Sequence, residues 1–256
     1  MIKLELKGVS KNFGGVKAVQ NYNLKAEEGQ IVGVIGPNGA GKTTVFNLIS
    51  GIYKADTGEI LFNGKDIVGQ DQFDISLLGI SRTFQNIRLF KGLNCLENVM
   101  SATDAVSKYN LFDAFFATPR KRKEEARQKA WCLECLKRVD MDEYALENPA
   151  NLPYGYQRRL EIARALAMRA QVLLLDEPAA GLNPSEVVDI TNLIKNLRDE
   201  YALTIMLIEH RLDMVMSISD VIYVQSFGEI IACGTPAEVQ RDPKVIAAYL
   251  GGDMSC

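Results

Sequence analysis

The chain has 256 residues, a formal net charge of −3 and 47% hydrophobic residues. That length suits one large domain or two small ones, and the weak acidic balance argues against nucleic acid as the main partner. The longest apolar run, around Ala202 to Ile208, falls far short of the ~20 residues that cross a bilayer. The charged N-terminus, MIKLELKG, is unlike a secretory signal peptide. We therefore expect a cytosolic protein, or one that partner proteins hold at a membrane.

Residues 1–30 predict two strands. Apolar and polar residues alternate from Ile2 to Leu6, and a turn at Gly14-Gly15 separates this strand from the segment Val16 to Lys25. Phe13 directly precedes the turn. An aromatic side chain at such a place usually packs against its neighbours, but it can also offer a flat platform to an adenine ring.

The segment Ile31 to Ser50 predicts a buried strand, a glycine-rich loop and a helix in succession. Its centre, GPNGAGKT, fits the phosphate-loop pattern G-x-x-x-x-G-K-[ST]. Glycines let backbone N–H groups turn toward a polyphosphate, and the helix N-terminus adds partial positive charge. We expect Lys42 to reach the β- and γ-phosphates and Thr43 to give Mg²⁺ a hydroxyl ligand. The predicted nucleotide-binding residues of this loop are Gly36, Pro37, Asn38, Gly39, Ala40, Gly41, Lys42, Thr43 and Thr44.

The next segments predict a small antiparallel layer and then a helical insertion. Gly58 to Gly64 is typical of a strand that ends in an Asn-Gly turn. The composition becomes helical over residues 86–157, which we interpret as a subdomain inserted between two parts of one α/β core, residues 1–85 and 158–256. The basic run Arg120 to Lys123 is followed at once by two glutamates, which favours a solvated helix face over a contact with lipid headgroups.

The five cysteines are spaced too irregularly for a disulfide framework, which suits a reducing compartment. Cys132 and Cys135 form a C-x-x-C on a predicted helix from Lys123 to Val139, on the same apolar face as Trp131 and Leu136. No second pair in the sequence completes a zinc site. We therefore interpret both cysteines as small core residues.

Strands and helices alternate from Arg158 onward. This alternation predicts a largely parallel sheet with helices on its faces, in which ligands bind beyond the carboxyl ends of the strands. The predicted fold class is α/β: a P-loop NTPase (RecA-like) core with a parallel sheet, an antiparallel β layer and the inserted helical subdomain. The expected elements are a helix over Arg159–Met168, a strand over Val172–Leu175, a helix over Ser185–Arg198, a strand over Leu203–Ile208, and strands at Val221–Val224 and Glu229–Ala232.

Polar side chains follow these strands where the phosphates would lie. Asp176 ends one strand and can hold Mg²⁺ through water, and Glu177 after it can polarise an attacking water. His210 follows the next strand at the same edge, and Gln85 begins the helical insertion, where an amide can ligate Mg²⁺ or orient water. We predict that Glu177, His210, Lys42 and Gln85 are catalytic, and that Thr43, Gln85 and Asp176 bind the metal.

In this order, the elements resemble the nucleotide-binding subunit of ATP-binding cassette (ABC) transporters over nearly the whole chain. The resemblance implies that the chain uses ATP and Mg²⁺, that Phe13 stacks on adenine, that Glu177 is the catalytic base and that His210 is the switch histidine. It makes Leu152-Pro-Tyr-Gly-Tyr156 the counterpart of the family's Leu-Ser-Gly-Gly-Gln segment, with Leu152 and Gly155 as nucleotide contacts. In this family that segment reaches the ATP of the other subunit in a head-to-tail dimer.

The chain departs from the family pattern in two loops. Pro153 replaces the usual serine, which removes a hydroxyl and a backbone donor, and Tyr154 replaces the first glycine, whereas Gly155 is retained. Asn183 stands where the family commonly has aspartate. Either the dimer tolerates these changes, or the two ATP sites of a heterodimer are unequal. We hypothesise the second.

Several stretches together resemble the larger ATPase subunit of bacterial branched-chain amino-acid importers: Ser81–Phe90, Tyr156–Arg164, Ile208-Glu-His-Arg211 and the ending that begins at Gly234-Thr-Pro. That likeness implies a second, different ATPase subunit, although the isolated chain could form a homodimer. It also implies two transmembrane permease subunits, a periplasmic or extracellular solute-binding protein, and a place at the cytoplasmic face of the membrane. It implies no nucleic-acid partner.

Other functions for the same loop are a lipid-exporting ABC ATPase, a soluble ABC protein of ribosomes or DNA, a P-loop GTPase and a regulatory pseudo-ATPase. The Arg-Thr-Phe-Gln stretch and the long insertion disfavour the lipid exporter. The soluble proteins usually carry two cassettes or a long coiled coil, and GTPases carry an Asn-Lys-x-Asp sequence that is absent here. A pseudo-ATPase is disfavoured because Lys42, Asp176, Glu177 and His210 are all present.

Overall fold

A computed structural model describes residues 1–83, 87–103 and 119–250. The strands in these ranges are β1 (Ile2–Phe13), β2 (Val16–Glu27), β3 (Ile31–Ile35), β4 (Thr57–Phe62), β5 (Lys65–Asp66), β6 (Ile80–Arg82), β7 (Val172–Asp176), β8 (Thr204–Ile208), β9 (Val221–Ser226) and β10 (Glu229–Gly234). The α-helices are α1 (Lys42–Ile49), α2 (Gln72–Leu78), α3 (Cys95–Thr103), α4 (Pro119–Lys137), α5 (Tyr154–Ala167), α6 (Pro184–Tyr201), α7 (Leu212–Ile218), α8 (Pro236–Arg241) and α9 (Pro243–Leu250). Short 3₁₀ helices span Asp142–Tyr144 and Pro149–Asn151.

The strands form two sheets, as the fold class predicted. The first is antiparallel, with the order β2-β1-β4-β5. The second has the order β10-β9-β3-β8-β7-β6; its strands from β9 to β6 are parallel, and β10 pairs antiparallel at one edge. Asn63 and Gly64, between β4 and β5, both have left-handed backbone, with φ of 49° and 77°, so the predicted Asn-Gly turn is confirmed.

The central strands β3, β7 and β8 are buried at every residue, as expected of a parallel sheet covered on both faces. Successive side chains point to opposite faces and therefore enter two different cores. Val34 and Leu174 pack toward the antiparallel sheet and α1, in the core that also holds Phe46. Leu173 and Leu175 enter the other core, which the C-terminal helices and the helical region complete.

Helices α3, α4 and α5 pack against one another around an apolar centre. Cys132 and Cys135 belong to it and are buried, so their interpretation as core residues is confirmed. Burial raises the pKa of the Cys135 thiol to about 12 and that of the Cys95 thiol to about 11. Within the described ranges, no group of three or more potential ligands is arranged to hold a metal ion.

Two helices begin earlier than the sequence predicted. Helix α4 starts at Pro119, whose missing N–H costs nothing in a first turn. Lys121 of its basic run pairs with Glu125 at 3.5 Å, and Arg127, one turn further along, pairs with Glu124 at 3.9 Å, which supports a solvated face.

Helix α5 starts at Tyr154, directly after Pro153, and so crosses the predicted boundary between residues 157 and 158. One continuous helix therefore joins the helical region to the core. None of the described helices is both long and apolar enough to span a membrane.

Candidate active site

The loop between β3 and α1 is held by glycines that permit close packing. A Cβ at Gly36 would lie 1.9 Å from the Gln225 carbonyl oxygen, and one at Gly41 would lie 2.2 Å from the Ala18 carbonyl oxygen. Gly39 has φ of 78° and open space where its Cβ would be. Any side chain at the first two positions would therefore push the loop away from β9 or β2, whereas the third keeps the loop surface open.

This loop borders a cavity of about 460 Å³. The cavity is lined by the loop residues 38–44, the edge of β2, the turn between β9 and β10, and two side chains from other strand ends, Glu177 and His210. Helix α1 begins here with Lys-Thr-Thr and has no acidic residue in its own first turn, so its N-terminal N–H groups face the cavity. An open glycine loop, a helix N-terminus and a lysine form a cradle that fits a polyphosphate.

Lys42 lies within this cradle and is buried. Its Nζ donates to the carbonyl oxygens of Gly36 at 2.7 Å and Pro37 at 2.9 Å. Burial lowers the pKa of Lys42, and the nearby charges of Glu177 and Asp176 oppose that shift. The ammonium is thus held above the loop by bonds that phosphate oxygens can replace.

Asp176, at the end of β7, is buried and already paired. Its Oδ2 lies 2.7 Å from Nη2 of Arg82, and Nη1 of the same guanidinium donates to Asn47 Oδ1 at 2.6 Å. Arg82 ends β6, the strand beside β7, and therefore joins both strands to α1. This partner of the predicted metal-binding carboxylate was missed by the sequence reasoning.

Glu177 and His210 meet beyond the ends of β7 and β8. Asp176 pairs with Ile208 in the parallel register, so the residues after these two emerge at the same edge. His210 Nε2 lies 3.1 Å from Glu177 Oε1. Glu177 has left-handed backbone, with φ of 50°, and its N–H donates to the Ile208 carbonyl oxygen at 2.9 Å. Both side chains therefore lie, as expected, at the edge of the six-stranded sheet that borders the phosphate loop (the phosphate edge).

Two further buried side chains support the site and carried no signal in the sequence. Gln225 Nε2 donates to the Ala40 carbonyl oxygen at 2.8 Å and so supports the phosphate loop from β9. Glu209 accepts three backbone N–H bonds from the loops that follow β7 and β8. Their roles depend on strand neighbours distant in the chain, which one sequence does not reveal.

The remaining predicted residues lie elsewhere. Phe13 is 40% exposed, packs its ring against Tyr53 at a centroid distance of 5.0 Å, and pairs across the hairpin with Val16, which lines the cavity. Within the described part of the chain, Phe13, Leu152 and Gly155 do not themselves line the cavity. Gln85 lies outside the described residues.

The predicted dimer-facing segment, Leu152 to Tyr156, packs against the start of α6. A Cβ at Gly155 would lie 3.0 Å from Glu186 Oε1, and one at Gly181 would lie 3.2 Å from the Tyr154 ring. Asn183 is the N-cap of α6, where its side chain accepts the Glu186 N–H at 3.0 Å in a capping box. Asparagine and aspartate serve equally well at this position, so the departure at Asn183 leaves the loop intact.

Comparison with known proteins agrees with this geometry. A family described as "ABC transporter" matches residues 19–180, which contain the phosphate loop, Asp176 and Glu177. The chain belongs to the ABC transporter family. The cassette also matches, over residues 229–254, a family described as "Branched-chain amino acid ATP-binding cassette transporter".

Full-length relatives and solved structures resemble the cassette over nearly its whole length. It is 46% identical to the high-affinity branched-chain amino acid transport ATP-binding protein BraF of Pseudomonas aeruginosa and 44% identical to LivG of Escherichia coli, over 97% of each chain. The ADP conformation of MJ1267, an ATP-binding cassette of an ABC transporter, superposes with a TM-score of 0.85 at 32% identity, covering 98% of this chain and 99% of that one. The predicted fold class and the ATPase assignment are thereby confirmed.

Proposed function

We propose that this cassette hydrolyses ATP to power the import of branched-chain amino acids through a membrane permease. The proposal of ATP hydrolysis rests on one observation: at the rim of the phosphate-loop cavity, Glu177 Oε1 lies 3.1 Å from His210 Nε2. The solute assignment is supported by the names of the relatives and by the family match over residues 229–254. Nothing in this chain needs to touch the solute, so the solute is determined by its partners.

In the proposed site, the loop amides and Lys42 bind the phosphates of ATP, and Phe13 stacks on its adenine. Thr43, Asp176 and Gln85 are the residues proposed to hold Mg²⁺, which neutralises charge on the β- and γ-phosphates when bound. The cradle fits both, because its lysine and helix N-terminus attract anions and Thr43, which lines the cavity, carries a hydroxyl oxygen for a metal ion. For Asp176 to face a metal ion, the guanidinium of Arg82 must share or release it.

Glu177 is the proposed general base. Its carboxylate accepts a proton from the attacking water, and the imidazole of His210 orients that carboxylate and meets the charge that develops on the γ-phosphoryl group. Phosphoryl transfer depends on positioning and electrostatics more than on covalent chemistry. The two loops that carry these side chains therefore have to hold one relative geometry.

A groove of about 880 Å³ beside β6 is the proposed contact with the permease. It lies between α2 and α5 and is lined by polar and charged side chains together with large apolar ones, of which Phe73 and Phe90 are 55% and 51% exposed. Exposed aromatic residues that border a groove are typical of a protein interface. Arg82, which pairs with Asp176, also lines this groove, so movement there can reach the catalytic edge.

We further propose that the working unit contains a second, different ATPase subunit, two permease subunits and an extracytoplasmic solute-binding protein, with the cassettes at the cytoplasmic face of the membrane. Leu152 and Gly155 would then contact the ATP of the other cassette. Because Pro153 lacks the hydroxyl and the N–H of the usual serine, this cassette offers a weaker contact than an ordinary partner would. The hypothesis is wrong if matched mutations in the two cassettes' loops reduce turnover equally.

Uptake of labelled leucine, isoleucine and valine tests the proposal in cells whose own copy carries Lys42→Ala. We expect high-affinity uptake to be lost and the wild-type chain to restore it. Lys65→Ala, an exposed lysine of β5, is the control and should leave uptake unchanged. Purified Lys42→Ala should bind ATP about 10- to 100-fold more weakly, since one charged hydrogen-bonding group is removed. Unchanged uptake with impaired ATP binding would discard the amino-acid assignment and make lipid export the next activity to test.

A further inference from the structure

Glu209 is buried at the end of β8, directly before His210, with 3% of its surface exposed. Its Oε1 accepts the Ala179 N–H at 2.6 Å. Its Oε2 accepts the N–H groups of His210 at 3.0 Å and Arg211 at 3.3 Å. One carboxylate thus bonds to the backbone of two loops, the loop after β7 and the loop after β8.

These bonds close a ring around the two proposed catalytic side chains. Ala179 is two residues after Glu177, and its N–H is held by Glu209. Glu209 is the neighbour of His210, whose ring returns to the Glu177 carboxylate at 3.1 Å. The backbone of each loop is therefore fixed relative to the other, and the direct contact between the side chains completes the circuit.

The backbone of Glu177 needs such support. A non-glycine residue with φ of 50° is in the left-handed region, which persists only where the surroundings hold it. Two hydrogen bonds hold the chain here: the N–H of Glu177 itself donates to the Ile208 carbonyl oxygen, and the N–H of Ala179, two residues later, donates to the Glu209 carboxylate. Loss of the second would let the loop after β7 relax and would move the Glu177 carboxylate.

Burying a carboxylate is costly, and burial raises the pKa of Glu209; its three N–H donors oppose that shift, whereas the charge of Glu177 adds to it. Within the described residues, Glu209 does not line the phosphate-loop cavity. Only a group with two acceptor oxygens satisfies donors on both loops, because a side-chain amide has one acceptor and places a donor against the other loop. The two acceptor oxygens of Glu209 therefore fit the role of holding the two loops in place.

We propose that Glu209 is a positioning residue that holds Glu177 and His210 in their hydrolytic arrangement and so acts on the chemical step rather than on ATP binding. The inference rests on the proposed roles of Glu177 and His210. It predicts that disruption of Glu209 separates kcat from nucleotide affinity, which general destabilisation of the chain would not do.

The test compares Glu209→Gln with wild type in the full chain, measuring kcat and KM for ATP and the Kd of ATP. We expect kcat to fall by about tenfold or more, because small misplacements of catalytic groups cost that much, and the Kd of ATP to change by less than about twofold. Asp220→Asn is the control for the loss of a carboxylate charge far from the site. Its carboxylate accepts the Ile31 N–H at 2.7 Å at the opposite end of the strands; it is more exposed than that of Glu209 and also pairs with Arg198 at 2.9 Å.

Two further variants make every outcome decisive. If Glu209→Gln does not fold, Glu209→Asp replaces it, because the shortened carboxylate cannot reach both loops and should also lower kcat at unchanged Kd. A kcat loss no larger than that of Asp220→Asn, or a parallel loss of ATP affinity, overturns the inference. Glu177→Gln is measured alongside: if it stays active, the proposed catalytic site is wrong, whereas an inactive Glu177→Gln beside a fully active Glu209→Gln refutes only the role of Glu209.

Discussion

The phosphate edge of the six-stranded sheet and the helical region of α3 to α5 are built on different principles. At the edge, side chains are placed by strand register and by buried polar bonds, such as those of Lys42 and Asp176. In the helical region, apolar side chains such as Leu136 and Leu160 fill a common core. Apolar packing tolerates small displacements, whereas buried polar bonds are lost over a fraction of an ångström.

This difference predicts how each region responds to substitution. A change at the phosphate edge alters a charge or a hydrogen bond of the proposed catalytic site, so we expect activity to fall whether or not stability falls with it. A change in the helical core removes apolar contacts, so stability falls and chemistry in the folded fraction stays. Substitutions in both regions therefore test whether chemistry and stability are separated in this way.

The largest effect is expected from Glu177→Gln. The amide keeps the size of the side chain but cannot accept the proton of the attacking water, so hydrolysis should fall by about a thousandfold or more. The Kd of ATP should change by less than about twofold, because Lys42 and the loop amides are untouched. Single-turnover hydrolysis and equilibrium nucleotide binding measure the two quantities. A Glu177→Gln variant that turns over at the wild-type rate would contradict the assignment of the base.

Arg82→Met should destabilise the edge itself. It leaves the carboxylate of Asp176 buried without its partner, and removal of one member of a buried pair costs about 3–5 kcal/mol. Denaturant unfolding of the chain measures the loss. The matched control is the double variant Arg82→Met/Asp176→Asn, which removes the stranded charge and should recover part of the stability. A loss below about 1 kcal/mol would instead match an exposed ion pair and refute the buried network.

The sequence predicted the elements of this edge more completely than their connections. The phosphate loop, the strand before it and the helix after it form one local pattern, so they could be read directly. Asp176, Glu177 and His210 could be assigned to one edge because parallel strands end together. The bond between Arg82 and Asp176 joins residues far apart in the chain, and single-sequence patterns contain no information about such a pair.

At the boundaries of the helical region, even a local feature, the start of helix α5, was not predicted from the sequence. Helix α5 begins at Tyr154, directly after its N-cap residue Pro153. The local sequence Pro-Tyr-Gly-Tyr favours a loop, but a proline at the N-cap does not prevent a helix from starting after it. Tertiary contacts made this difference: Gly155 packs against Glu186, and Arg158 is wholly buried. Local propensity was overruled by packing, which only the folded chain reveals.

Leu136→Ala should affect stability alone. Leu136 is fully buried among the helices, so its truncation should cost about 2–5 kcal/mol of unfolding free energy. At a temperature where the variant remains folded, kcat should equal that of wild type. Leu133→Ala, on the same helix but 37% exposed, is the control and should cost about 1 kcal/mol or less. A kcat loss in folded Leu136→Ala would contradict this separation, since it would show that the helical core also positions the catalytic groups.

The smallest effect is expected from thiol alkylation, which needs no substitution in the chain. Cys233 is exposed, although partial burial of its thiol raises its pKa, whereas Cys132 and Cys135 are buried and the pKa of Cys135 is raised to about 12. At pH 8, iodoacetamide should therefore modify Cys233 on the order of a hundredfold faster than the C-x-x-C pair, measured by peptide mass spectrometry. Urea should bring the three rates close together, which controls for intrinsic reactivity. Equal rates in the folded chain would mean that the pair is open to solvent, and a metal-binding role for the C-x-x-C would then regain support over its role in the core.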